Sequence, residues 1–188
     1  MARSICVAIF VLFTCQTSYS LRADLDYYWR EYTGEVPEDA ILGGRDINGN
    51  NIYIGQAYVK NEGLVVVQIT PGVRRVLAPM KGIKKIDKYI KILCGPQQKV
   101  FWMSSNSSNL HLALIDKHAV IGGHEDGLGY INIGRISHEG EVKIGKINSF
   151  STESAHFYFN DNGLERLITS YEILMYNDKD LDVRIKTY

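Results

Sequence analysis

Ile41-Leu42-Gly43-Gly44-Arg45-Asp46-Ile47-Asn48-Gly49-Asn50-Asn51-Ile52-Tyr53-Ile54-Gly55-Gln56 is answered, 79 positions on, by Val120-Ile121-Gly122-Gly123-His124-Glu125-Asp126-Gly127-Leu128-Gly129-Tyr130-Ile131-Asn132-Ile133-Gly134-Arg135, with no gap between the copies. Each copy carries a Gly-Gly step, a polar loop with Asn-Gly or Asp-Gly, and then a run rich in β-branched and aromatic residues, which is the pattern of a hairpin. Downstream, Asp87-Lys88-Tyr89-Ile90-Lys91-Ile92-Leu93 is matched by Thr169-Ser170-Tyr171-Glu172-Ile173-Leu174. A period near 80 residues exceeds the roughly 20–50 of solenoid arrays, so the expectation is two related halves, residues 21–98 and 99–188, with pseudo-two-fold symmetry in one unit.

Strand patterns continue outside the repeat. Tyr53 to Val59, Leu64 to Ile69, Lys99 to Met103, Tyr130 to Ile136, Glu141 to Ile147 and Ala155 to Phe159 are β-rich, with turn signals at Pro71-Gly72, Gly95-Pro96, Glu139-Gly140 and Asp161-Asn162-Gly163 between them. The fold class is read as all-β, with antiparallel sheets from two tandem pseudo-symmetric units. From Lys81 to Leu93 the isoleucines also fall near helical spacing, with lysines between them. The match to Tyr171–Leu174 favours a strand at the end of that segment. The tail from Tyr176 to Tyr188 reads as a frayed edge strand.

Residues 1–20 read as a secretory signal: Arg3, an apolar stretch from Ile5 to Cys15, then Ser18-Tyr19-Ser20. The stretch is shorter than the roughly 20 residues a membrane-spanning helix needs, and no later segment is long and apolar enough. Without those residues the chain has 20 basic and 21 acidic side chains, and this balance gives no drive toward nucleic acid or membrane. Cys6 and Cys15 go with the signal. Cys94 remains, next to Ile92 and Leu93, and is expected to be a buried thiol.

Few motifs carry chemistry. Asp46-x-Asn48-x-Asn50 opens like a calcium loop, but Asn51 and Ala57 stand where that loop wants Gly and Glu, so a polar hairpin turn is the better reading. The five histidines lack metal-ligand spacing, and no nucleophile elbow, phosphate loop or zinc-protease motif is present. The expectation is a non-enzyme without metal or cofactor. Arg74, Arg75, Lys81, Lys84, Lys85, Lys88, Lys91 and Lys99 form a basic stripe, read either as a solvated sheet face or as a site for a protein or an anionic polymer. Asn106-Ser107-Ser108 is a glycosylation sequon at Asn106. Glu125, just after Gly-Gly, and Lys146, 21 residues later in Gly145-Lys146, suit a sugar's vicinal hydroxyls if strands hold them together, the acid accepting protons and the ammonium donating. A surface salt bridge is the plainer alternative.

Trp29, Val36-Pro37-Glu38-Asp39-Ala40-Ile41-Leu42-Gly43-Gly44, Asp46, Asn48-Gly49, Ile52-Tyr53-Ile54-Gly55 and Tyr89-Ile90-Lys91-Ile92-Leu93 resemble the DM-nine repeat. A second copy runs from Trp102 through His118-Ala119-Val120-Ile121-Gly122-Gly123, Glu125, Ile131-Asn132-Ile133-Gly134-Arg135 and Gly145-Lys146 to Tyr171-Glu172-Ile173-Leu174. The resemblance covers nearly all the chain after residue 20. It implies a β-rich protein of paired repeats, and in the mannose-binding members an acid just after Gly-Gly and a downstream Lys grip the sugar. By position that implicates Asp46 in the first half, and Glu125 with Lys146 in the second. The first half departs from the pattern, because Val65-Val66-Val67-Gln68-Ile69 offers Gln68 where Lys is expected; in the second, Glu125 replaces the usual Asp. The implied function is a secreted, lectin-like recognition protein for mannose-type glycans on cell or microbial surfaces, in innate immunity, with a homodimer as a route to avidity. The alternative is a secreted effector that has lost the sugar and engages a protein or anionic polymer through its stripe.

Overall fold

The computed structural model describes residues 27–177, so the segment expected to be a signal and the tail beyond Asn177 lie outside the described residues. Within them the chain is built from antiparallel strands: β1 (Tyr28–Glu31), β2 (Leu42–Arg45), β3 (Asn51–Val59), β4 (Gly63–Ile69), β5 (Val76–Pro79), β6 (Ile83–Ile86), β7 (Ile90–Cys94), β8 (Val100–Asn106), β9 (His118–Ala119), β10 (Ile121–Glu125), β11 (Gly129–His138), β12 (Glu141–Ile147), β13 (Phe157–Asp161), β14 (Leu164–Ile168) and β15 (Ser170–Tyr176). One α-helical turn, Leu110–Ala113, interrupts them. Thirteen strands form one branched sheet in the order β1-β7-β3-β4-β10-β11-β12-β13-β14, and β5 and β6 form a separate hairpin.

The sheet branches at β3 and β11, each of which pairs with three strands. Around β3, Leu42 faces Tyr53, Ile54 faces Gln68, and Gly55 faces Ile92. Around β11, Ile121 faces Asn132, Ile133 faces Lys146, and Gly134 faces Ile173. Each Gly-Gly step carries a register shift, at Leu42/Gly44 and at Ile121/Gly123. The neighbourhoods also reach into one another. Gln56 Nε2 donates to the Gly122 carbonyl at 2.8 Å, and Arg135 Nη1 donates to the Gly43 carbonyl at 3.1 Å.

These contacts explain the glycine pairs. A Cβ on Gly123 would stand 2.1 Å from the Leu64 carbonyl oxygen, and one on Gly122 would stand 2.3 Å from Val66. At Gly44 and Gly43 it would meet Val142 and Ile144 at 2.7 and 2.9 Å. The repeated motif marks where strands from the two stretches press together too closely for a side chain.

The segment from Lys81 to Leu93 is a hairpin tip followed by a strand. Lys81 and Gly82, at the tip of the hairpin, take left-handed φ of 50° and 89°, and Tyr89 takes φ 56°. Right-handed helix cannot pass through such positions, so the near-helical spacing of the isoleucines is coincidental. β13 begins at Phe157, two residues later than its sequence pattern implies, because the Ala155 amide is bonded instead to the Ser107 carbonyl at 3.2 Å.

Three apolar clusters fill the interior, with Ile92 and Val67 in one, Ile54 and Ile133 in the second, and Phe157 and Ile173 in the third. Cys94 is fully buried in the first. Burial, with the Asp39 carboxylate, pushes its thiol from 9.0 up to about 11. The hydrogen bond from the Tyr28 hydroxyl to Asp39 raises the phenol from 10.0 to about 12. Both groups hold their protons more tightly folded than unfolded, so their stabilisation is complete below the unfolded values and is lost as pH rises through the folded ones. Melting temperature should therefore fall progressively between about pH 9 and pH 12. Cys94→Ala with Tyr28→Phe should flatten that fall; an unchanged slope in the double variant would assign it to other groups.

Candidate functional site

Glu125 closes β10 and Lys146 lies on β12, two strands that both pair with β11. Their neighbourhood in the sheet turns a separation of 21 residues into direct contact: Lys146 Nζ donates to Glu125 Oε1 at 2.5 Å. The pair is buried, with the side chains 3% and 6% exposed, so it is not the surface salt bridge that spacing alone favours. Lys146 also sits 5.1 Å from the centroid of the Tyr158 ring, within cation–π range, and 3.8 Å from Met80 Sδ. Burial first, then the Glu165 and Glu125 carboxylates, raise the Tyr158 phenol above its ordinary range.

The β5–β6 turn roofs this pair. Met80 touches Lys146, the Gly82 amide donates to Glu165 Oε2 at 2.6 Å, and Lys81 Nζ bonds Glu62 Oε2 at 2.6 Å. The Lys81 hydrogen bond holds the Glu62 carboxyl below its usual range, with Lys84 and Lys146 adding in the same direction. Lys81 is raised in turn by Glu62 and, more weakly, by Glu125. Three carboxylates, Glu62, Glu125 and Glu165, and two ammonium groups therefore stand around one turn, the Glu125–Lys146 pair dry and the Glu62–Lys81 pair wet, with Lys81 67% exposed.

The first half has no such arrangement. Asp46 is half-buried, and its carboxylate accepts the Asn48 and Asn50 amides at 2.9 and 2.8 Å and the Asn50 side chain at 3.1 Å, which also hold its pKa down. It is the polar turn the sequence suggests. Gln68 occupies the register position on β4 that Lys146 holds on β12, but its side chain accepts the Ile144 amide at 3.2 Å. Among the described residues no hydrogen bond or ion pair joins Asp46 to Gln68.

The basic residues do not form one face. Arg74 packs on Gly34, Lys81 is bonded to Glu62, Lys91 lies across from Glu31, and Lys84 and Lys85 are strand neighbours whose side chains leave opposite sides of the hairpin. Arg75 and Lys88 are exposed in the loops before β5 and β7, and Lys99 closes a short 3₁₀ turn. Asn106 ends β8, where its side-chain oxygen accepts the Ser108 and Asn109 amides at 3.1 and 3.0 Å, leaving Nδ2 as the free atom for a glycan. His138, Glu139 and Asp161 bring possible ligand atoms within 4.8 Å of one another, a cluster that sequence spacing gave no sign of. Arg166 Nε lies 3.5 Å from Asp161 and already supplies positive charge there.

Sequence reading missed Tyr158 and the Met80–Gly82 turn, because nothing in their spacing ties them to Glu125. A Lys-Gly turn signal at 81–82 was available and was masked by the isoleucine periodicity. In comparisons with known proteins, no family model and no curated protein matches the chain.

Proposed function

We propose that this protein is a secreted, non-enzymatic carbohydrate-recognition protein built from two DM-nine-type repeats, taking mannose-type glycans at Glu125 and Lys146. The observation that carries this reading is the contact between those two residues, which lie 21 positions apart and meet on neighbouring strands beside an aromatic ring. A sugar's vicinal hydroxyls enter between the groups, donating to the carboxylate and accepting from the ammonium, while the Tyr158 ring faces the sugar's C–H surface. This is recognition by hydrogen bonds, with no covalent bond made or broken. The recurrence of the β3 pairing around β11 supports descent of the two stretches from one unit; in the first, Asp46 and Gln68 each bond elsewhere and do not meet.

Entry requires the Met80–Gly82 turn to lift, and its outer fastening is the exposed Lys81–Glu62 pair. Loosening that pair should help the ligand. Lys81→Ala is expected to bind mannose oligosaccharides about two- to fivefold more tightly than the parent in calorimetric titration, since an exposed pair is worth little and its loss leaves the fold intact. Weaker binding by Lys81→Ala would show that the turn belongs to the binding surface instead of covering it.

A further inference from the structure

The strand β13 pairs with β12 only from Gly145 to Ile147 and then splays away, leaving the Ile144 amide without a strand partner. A cleft of about 220 Å³ opens at this point, and its polar wall is Gln68, Thr70, Arg75, Lys143 and Asn160. No carboxylate lines it.

The orientation of both amides is fixed by their neighbours. Gln68 Oε1 accepts the Ile144 amide at 3.2 Å, and Asn160 Oδ1 accepts the Gly163 amide at 3.0 Å. A backbone N–H can only donate, so each side chain must give it the oxygen, which leaves each NH₂ group as the atom with hydrogens to offer. The Arg75 guanidinium and the Lys143 ammonium add further donors. Lys143 is bonded to Glu141 at 2.6 Å, while Arg75 has no carboxylate partner among the described residues. The cleft therefore presents donors, one uncompensated positive charge and a single hydroxyl that can turn either way. It lies below the roughly 300–1,000 Å³ of pockets for drug-sized ligands, so it takes one charged group or one sugar unit and not a length of polymer.

We propose that this cleft is a binding site for an anionic oxygen group, the carboxylate or sulfate of an acidic saccharide. A neutral sugar leaves the charge unanswered and must supply acceptors from hydroxyls; an anion offers several lone pairs to a fixed set of N–H groups and gains charge-assisted hydrogen bonds. The site shares no residue with the Glu125–Lys146 pair, so it stands whether or not that pair takes mannose.

The test follows the side-chain amide signals of Gln68 and Asn160 in ¹⁵N–¹H spectra while inorganic sulfate, glucuronate or glucose is added. Sulfate or glucuronate should shift both signals, more weakly at high salt, and glucose should not; which anion binds more tightly tells a sulfate ester from a uronate. Gln68→Glu and Asn160→Asp keep the oxygen that Ile144 and Gly163 need and replace the NH₂ donors with negative charge. Each should fold as the parent does and weaken anion binding at least about tenfold, whereas Lys84→Ala, outside the cleft, should change it less than about twofold. Anions that leave both amide signals unmoved would overturn the proposal. So would equal binding by parent, Gln68→Glu and Asn160→Asp, or a loss in Lys84→Ala as large as theirs.

Discussion

Lys146→Met should lower the free energy of unfolding by about 3–5 kcal/mol, because it leaves the Glu125 carboxylate buried beside a thioether with only the weaker attraction of Lys81 to answer its charge. The new side chain is unbranched and only one atom shorter, losing the Nζ that touches Met80, so lost packing is the smaller part of the effect. Adding Glu125→Leu should recover most of the loss, since well-packed apolar pairs often replace buried ion pairs at no net cost. Urea unfolding with linear extrapolation measures both. A single variant within about 1 kcal/mol of the parent would mean that the pair is wet and behaves like a surface contact.

Gly123→Ala should be as damaging for a different reason. Its Cβ would lie 2.1 Å from the Leu64 carbonyl oxygen, a backbone atom that no rotamer change can move aside. Relief requires β10 to retreat from β4, and the only ladder contacts between those strands are His124 with Leu64 and Glu125 with Gly63. A loss of about 3 kcal/mol or more is expected, the upper end for overpacked positions. Gly43→Ala meets the Cδ1 methyl of Ile144, the far end of a flexible side chain, at 2.9 Å, where a small shift is available, and should cost less. Equal losses at the two glycines would show that the β4–β10 contact yields as easily as a side chain.

Much of the sheet was legible in the sequence, because alternation and turn glycines are local signals. Glu141 to Ile147 forms a strand with the expected bounds, and the Asp46 loop is a polar turn. Lys81–Leu93 was ambiguous, since isoleucines three and four apart fit a helix face, while the Lys81-Gly82 turn forbids a helix through conformation that spacing does not encode. The meeting of Glu125 and Lys146 could be anticipated from a motif, but their burial could not, because the roof comes from a hairpin more than 40 residues before Glu125. The donor-lined cleft was invisible for the same reason: Gln68, Arg75 and Asn160 converge only through the splay of β13 from β12.

The most direct measurement is calorimetric titration of mannose oligosaccharides into the parent and into Glu125→Leu with Lys146→Met, whose stability should lie close to the parent's. The expected result is binding by the parent that barely responds to salt and disappears in the double variant, because a neutral hexose is held by short polar contacts and not by long-range charge. Equal binding by the two proteins, or none by the parent, would contradict the assignment of the sugar site to Glu125 and Lys146.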